Sequence, residues 1–276
     1  MKESARILTA AKVQASPFIK WPGGKRLLAP QICGFFPGSY NRYIEPFLGG
    51  GAVFFSTSPR EAWLSDIDAE LVNAYAQVKK NVEAVIETLA ELEISKAAYY
   101  RMRALRPDIP LARAVRFLYL NRTAFNGIYR VNQQGEFNVP FGCKPGTKLC
   151  EPQLLKRASA ALSASTLSTG DFESAFSQAK AGDLIYADPP YTTKHDDNGF
   201  RRYNRRLFSW EDQIRLASAA EDALARGVSV VVSNAHHQDV KRLYPSFRSA
   251  TLVRSSCISG RIGSRGSVKE YLFFPD

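Results

Sequence analysis

The sequence predicts an α/β protein: a parallel sheet wound on both sides, carrying a largely helical insertion. Three observations lead there. Short apolar runs end abruptly in glycine-rich or acidic turns, at Tyr43–Glu45 before Gly49-Gly50-Gly51, at Ala62–Ser65 before Asp66, and at Leu184–Tyr186 before Asp188-Pro189-Pro190-Tyr191; such runs read as strands. Helical periodicity instead dominates Leu71–Leu92 and Leu111–Leu120. The chain has 276 residues, 45% of them apolar, which exceeds a typical domain yet suits one α/β unit with an insertion.

Composition narrows the function classes. A net charge of +11, from 37 Lys and Arg against 26 Asp and Glu, favours a polyanionic partner. The four cysteines (Cys33, Cys143, Cys150, Cys257) are scattered without a Cys-x-x-Cys pair, so free thiols are expected and no metal site. His195, His236 and His237 show no metal-ligand spacing. Neither a long apolar run nor a signal-peptide pattern is visible, and a cytoplasmic protein without a membrane anchor is expected.

Taken in order, residues 1–16 are polar and expected to fray. Phe18-Ile-Lys-Trp-Pro-Gly-Gly-Lys25 then leads into an expected helix over Arg26–Phe36. Two glycines beside a lysine can expose amides to an anion, or simply make a tight turn; the phosphate-loop spacing is missing, since Arg26 stands where its hydroxyl residue belongs. Tyr43–Phe55 reads as strand, glycine loop and helix, a place where a ligand can approach the backbone. The third glycine of the dinucleotide fingerprint would fall at Phe54, which disfavours a dehydrogenase. Asp66 ends the second strand 15 residues past Gly51, where nucleotide-type sites keep a ribose-binding carboxylate.

Residues 71–157 differ from their flanks. Between 101 and 157 eleven basic residues face three acids, leaving +8 of the chain's +11. Interleaving with Tyr99, Tyr100, Phe125 and Tyr129 fits a nucleic-acid surface better than a merely solvated face. Gly127–Phe141 reads as a β-hairpin around Gln133-Gln-Gly135, and Arg130 at such a tip suits a bidentate pair with guanine.

Asp183–Tyr191 is a buried strand halted by two prolines, which cannot continue a ladder. They leave rigid carbonyls beside one carboxylate and one aromatic face. Asp188 and the Pro189 carbonyl can accept both N–H groups of an exocyclic amine while Tyr191 stacks on its ring; a plain proline turn is the competing reading. The polar stretch Thr192–Arg206, with four arginines, follows as a candidate closing loop. Ser209 then caps a helix reaching about Arg226, Val228–Asn234 is a β-branched buried strand, and Arg248–Cys257 and Ser267–Phe274 are two final strands joined by a glycine- and arginine-rich connection. His236 and His237 are read as structural.

The residues Phe18–Lys25, Glu45–Phe55, Leu64–Asp68, Phe117–Gly142 and Asp188–Tyr191 together resemble the DNA adenine-N6 methyltransferase (Dam) family, in the motif order that puts cofactor motifs before the target-recognition segment. The block Asn121-Arg122 followed by Gly135-Glu-Phe-Asn-Val-Pro-Phe-Gly142 is especially family-like, and the likeness runs from about residue 18 to 274. It implies a Rossmann-like S-adenosylmethionine-dependent methyltransferase sheet over 1–70 and 158–276, with the DNA target-recognition domain, mostly helical and holding the β-hairpin, over 71–157. Double-stranded DNA is the implied partner, GATC the implied target, and a monomer without metal the implied form.

Residue by residue, the resemblance puts Trp21, Lys25, Asp66 and Asp188 around S-adenosylmethionine, and Glu45, Phe47, Gly49 and Gly51 in the loop around its methionine part. Asp171 and Phe172 match its adenine contact, although Asp171 also reads as a helix cap. Asp188, Pro189, Pro190 and Tyr191 form the catalytic motif. Lys20, Arg122, Phe125, Asn126, Ile128, Arg130 and Pro140 match DNA contacts, Arg130 being the guanine reader and Phe125 the aromatic beside the extruded base. Phe125 and Ile128 depart from the family's usual tyrosine and leucine. An RNA or protein amino-methyltransferase with the same motif, or an inactive DNA-binding relative, are the alternatives.

Overall fold

The computed structural model describes residues 15–132, 134–143, 146–192, 208–255 and 267–276. The start of the chain, most of the expected closing loop and the connection between the last two strands lie outside the described residues.

Seven strands form one sheet in the order β3-β2-β1-β4-β5-β7-β6. They are β1 (Tyr43–Glu45), β2 (Ala62–Asp66), β3 (Ser165–Thr169), β4 (Leu184–Ala187), β5 (Ser229–Ala235), β6 (Arg248–Ser255) and β7 (Ser267–Phe274). The first five are parallel, and β7 runs antiparallel between β5 and β6. β4 is buried along its whole length, as a parallel strand covered on both faces must be. Its side chains alternate between two cores: Leu184 and Tyr186 in one, Ile185 and Ala187 in the other. That alternation is what doubly wound means at residue level.

The strand order reverses between β1 and β4, and crevices that bind ligands form at such points, beyond the carboxyl ends of the strands. The glycine loop after β1, the acid ending β2 and the Asp-Pro-Pro-Tyr segment after β4 all emerge there.

The helices are α1 (Ala29–Cys33), α2 (Ala52–Thr57), α3 (Ala69–Lys80), α4 (Val82–Ala90), α5 (Lys96–Ala104), α6 (Pro110–Thr123), α7 (Pro152–Leu162), α8 (Phe172–Gln178), α9 (Trp210–Ala225) and α10 (Gln238–Lys241). The helix expected over Arg26–Phe36 shrinks to α1, between turns on either side. The periodic stretch Leu71–Leu92 is broken at Asn81, whose φ −134° and ψ 38° are not helical. α9 starts at the expected cap, with Ser209 and Asp212 satisfying each other's backbone N–H groups.

α3 is capped by Asp68, which accepts from the Glu70 and Leu71 amides, and it packs on β2 and β3 as well as on α6 and α7. One apolar cluster therefore runs unbroken from the sheet through Tyr75, Val85, Tyr99, Phe117 and Leu120. The expected hairpin over Gly127–Phe141 is looser than a ladder: the chain doubles back, but among the described residues it bridges only at Ala124–Phe141 and Val131–Phe137. Pro140 has no N–H to add to a ladder, and Asn126 takes a left-handed φ of 54° in a tight turn. Among the described residues, no helix is long and apolar enough to cross a membrane, and no group of His, Cys, Asp and Glu could hold a metal.

Candidate active site

Asp188 follows directly on the last residue of β4, its side chain only 18% exposed. Lys25, 5% exposed, places Nζ 2.8 Å from Asp188 Oδ1 and 4.8 Å from the centre of the Tyr191 ring. The same ammonium lies 3.8 Å from Glu270, a fully buried carboxylate on β7. Burial, followed by the charges of Asp188 and Glu270, pushes the Tyr191 phenol far above the ordinary tyrosine range, so it keeps its proton. Lys25, Asp188 and Tyr191, all foreseen from the sequence, thus meet, and Glu270 joins them unforeseen. Its only signal was an acid amid the apolar run Tyr271-Leu-Phe-Phe, on the same strand face as core residue Leu272.

A second set of unforeseen residues backs the proline segment. Gln213 of α9, fully buried, donates Nε2 to the Pro190 carbonyl at 3.3 Å and accepts from Asn234 Nδ2 of β5 at 2.8 Å. Thr192 donates to the Phe208 carbonyl at 2.7 Å, closing the far end.

The loop after β1 is held from three sides. Gly49 N donates to Asp66 Oδ2 at 2.9 Å, Tyr75 donates its hydroxyl to the Gly49 carbonyl at 3.0 Å, and Trp21 lies against the loop itself. A Cβ on Gly49 would come within 2.7 Å of the Trp21 ring. The glycines therefore make room for Trp21 and, at Gly51, for Tyr75, as well as for any ligand. Trp21 in turn stacks on Phe117 and Tyr129, with ring centres 6.5 and 6.0 Å away.

Asp66 also accepts from the Asp68 amide at 3.0 Å, yet burial outweighs these bonds and pushes its carboxyl up to about 6. Glu45 is fully buried and accepts from the Tyr43 hydroxyl at 2.8 Å; desolvation holds its carboxyl well above the usual range, and the nearby Asp188 and Asp66 charges add to this. Phe47 stacks on Phe172 at 5.5 Å, and the Arg215 guanidinium caps Phe172 at 5.0 Å. Asp171 caps α8 by accepting from the Glu173 amide and pairs with Arg215 at 3.0 Å. Both the cap and the contact expected of it are open to that one carboxylate.

The residues expected at DNA gather around one turn. Asn121 binds the backbone of Lys20 in both directions, at 2.9 and 2.7 Å, so the N-terminal segment is tied to the end of α6. Gly127 sits under the Lys20 side chain, and the Phe125 amide donates to the Pro140 carbonyl at 2.9 Å. Phe125 is left 51% exposed and Ile128 37% exposed, beside exposed Asn126. Arg130, also exposed, is steadied by Asn138 Oδ1 at 2.9 Å. Arg122 instead faces Glu151 at 3.3 Å and is largely covered.

The family model described as D12 class N6 adenine-specific DNA methyltransferase matches residues 21–255. A type II methyltransferase of Lactococcus lactis subsp. cremoris is 36% identical over 276 residues, covering 96% of this chain and 97% of that one. A type II methyltransferase of Methanocaldococcus jannaschii is 34% identical, covering 90% and 94%. A DNA adenine methylase of Haemophilus influenzae is 34% identical, covering 95% and 94%. Among solved structures, TrmN of Thermus thermophilus aligns with a TM-score of 0.43 at 13% identity, covering 91% of this chain and 49% of that one.

Proposed function

We propose that this chain, which belongs to the D12 class N6 adenine-specific DNA methyltransferase family, transfers a methyl group from S-adenosylmethionine to N6 of an adenine turned out of duplex DNA, within GATC. The observation that carries the reading is the meeting of Asp188, Lys25 and Tyr191 at the mouth of the strand-order reversal.

The residues present fit the cofactor. A carboxylate ends β2, aromatic faces from Phe47 and Phe172 lie together, and the buried acids Glu45 and Asp188 complement a sulfonium cation. Trp21, Lys25, Glu45, Phe47, Gly49, Gly51, Asp66, Asp171 and Phe172 would hold it. When bound, it supplies an electrophilic methyl on positively charged sulfur.

The rest is done by the chain. Asp188, paired with Lys25 at 2.8 Å, accepts a hydrogen bond from one N6 hydrogen of the adenine, and the Pro189 carbonyl accepts from the other. Those two bonds draw the nitrogen lone pair out of ring conjugation and aim it at the methyl. Tyr191 stacks on the base, so positioning and electrostatics provide most of the acceleration. Attack on that methyl would leave the nitrogen with one proton too many, which it would release to water, while the donor's sulfur would keep the electron pair of the broken carbon–sulfur bond. Extruding the adenine costs a few kcal/mol, roughly what stacking on Tyr191 and the new hydrogen bonds return. Phe125, exposed at the tip of its turn, is placed to fill the gap in the stack, and Arg130 to read guanine. The enzyme works as a monomer in the cytoplasm, where its DNA is.

The test is transfer of tritiated methyl into plasmid DNA, followed by digestion with enzymes that distinguish methylated GATC. Label in N6-methyladenine with GATC protected is expected. Label at another sequence overturns the GATC assignment alone. Label only in RNA or protein overturns the DNA substrate, and absence of both label and cofactor binding overturns the activity.

A further inference from the structure

Glu270 belongs to none of the motifs used above. It lies on β7 opposite Ala235 of β5, fully buried, with Lys25 Nζ 3.8 Å away and the buried Tyr191 phenol within reach of its charge. One ammonium therefore stands between two carboxylates, closer to Asp188 at 2.8 Å.

We propose that Glu270 is a positioning residue for methyl transfer: it shares Lys25 with Asp188, so that the ammonium can lean toward Glu270 when the substrate's amino group takes up the Asp188 carboxylate. The proposal rests on the adenine-methylating reading given above.

The chemistry asks for such a partner. An incoming amine must hydrogen-bond to a carboxylate that already accepts a charge-assisted bond from Lys25, and such bonds are roughly twice as strong as neutral ones. Displacing Lys25 with nowhere to go would leave a buried, unpaired cation. With Glu270 on its other side, Lys25 needs to move only about 1 Å, the difference between 3.8 and 2.8 Å, to exchange one carboxylate for the other. The charged and titratable groups facing this cluster are Lys25 from the loop before α1, Glu45 from β1, and Tyr186, Asp188 and Tyr191 from β4 and its continuation.

The experiment compares the full-length protein with Glu270→Gln, which keeps shape but removes the charge. Read out are kcat and KM on duplex DNA and S-adenosylmethionine affinity by calorimetry. The expected result is a fall in kcat/KM for DNA of about tenfold or more, the scale of one hydrogen bond to a charged group, with cofactor affinity kept. Glu270→Asp, which retains the charge, is expected to recover part of the lost rate. A Glu270→Gln variant with unchanged kcat and KM overturns the proposal, and so does one that loses cofactor binding and DNA turnover together. If Glu270→Gln does not fold, Glu270→Asp is expected to keep cofactor affinity at a reduced kcat; loss of cofactor binding there, or an unchanged kcat, overturns the proposal. Failure of the unmodified protein to methylate DNA is a separate result: it removes the functional reading, and this proposal with it.

Discussion

Gln213 links the catalytic segment to the far side of the sheet: its Nε2 donates to the Pro190 carbonyl at 3.3 Å while its Oε1 accepts from Asn234 at 2.8 Å. Proline 190 cannot be anchored through its own nitrogen, so its carbonyl is the handle available to the scaffold. Gln213→Leu keeps the volume but strands both a buried acceptor and a buried donor, each worth about 1–3 kcal/mol. The expected outcome is a melting temperature lower by several degrees and a kcat reduced well beyond any change in S-adenosylmethionine affinity, because the hydrogen bonds of Gln213 run to the proline segment and to β5. A Leu variant with unaltered kcat, measured on folded protein, would show that the proline segment holds its own geometry.

Asp66 predicts two opposite pH dependences. Its carboxyl titrates at about 6 in the folded protein, against 3.8 for the free group, because burial disfavours the charged form. Between those values the folded chain holds a proton that the unfolded chain has lost, so this group's stabilising contribution is full at low pH and is lost as pH rises through about 6. A ribose hydroxyl, by contrast, is better held by the ionised carboxylate. Cofactor affinity is therefore expected to weaken as pH falls through about 6, and Asp66→Asn to bind more weakly with no such slope. Calorimetric titration across that range checks both; a flat profile for the unmodified protein removes Asp66 from the cofactor site.

Most of the proposed catalytic segment was legible in the sequence because its chemistry lies in consecutive residues: β4, an acid, two prolines and an aromatic. β1, β2 and β4 were legible through their strand ends, each marked by glycine or acid, whereas β3 (Ser165–Thr169) was not foreseen. Glu270 and Gln213 were not, since their meaning depends on partners brought close only by the antiparallel β7 and the return of α9 to the sheet. The glycine loop was half-read. Its glycines suggest close approach of a ligand, but the atoms a Cβ would strike belong to Trp21 and Tyr75, which no local pattern connects to it. Asn81 breaks a periodicity that looked continuous, and the hairpin loosens where Pro140 and Asn126 interrupt it.

Arg130 is held by Asn138 before any DNA arrives, its Nε donating to Oδ1 at 2.9 Å. That bond occupies one edge of the guanidinium and leaves the two terminal nitrogens for a base edge. Arg130→Ala is expected to erase about 1–3 kcal/mol of discrimination at one guanine, and Asn138→Ala to erase less, since it only loosens the fork. Competitive methylation of GATC against sites altered at that guanine measures both. Equal discrimination by Arg130→Ala and the unmodified protein would move the reader elsewhere.

Gly127 ties the N-terminal segment to the turn proposed to meet DNA. Its φ of 65° lies in the region that favours glycine, and a Cβ there would fall 2.3 Å from Lys20 Cδ and 3.1 Å from Lys20 Cβ. The Lys20 backbone cannot retreat freely, because Asn121 grips it at both its amide and its carbonyl. Gly127→Ala should therefore destabilise by about 1 kcal/mol or more from the backbone alone and displace Phe125 and Lys20, weakening DNA binding while S-adenosylmethionine affinity stays put. Adding Lys20→Ala removes the Cδ clash but not the strained φ, so the double variant should regain part of the stability and little of the DNA affinity. Melting curves and DNA titrations on the three variants check this: strictly additive stabilities would mean that Lys20 and Gly127 do not touch in solution.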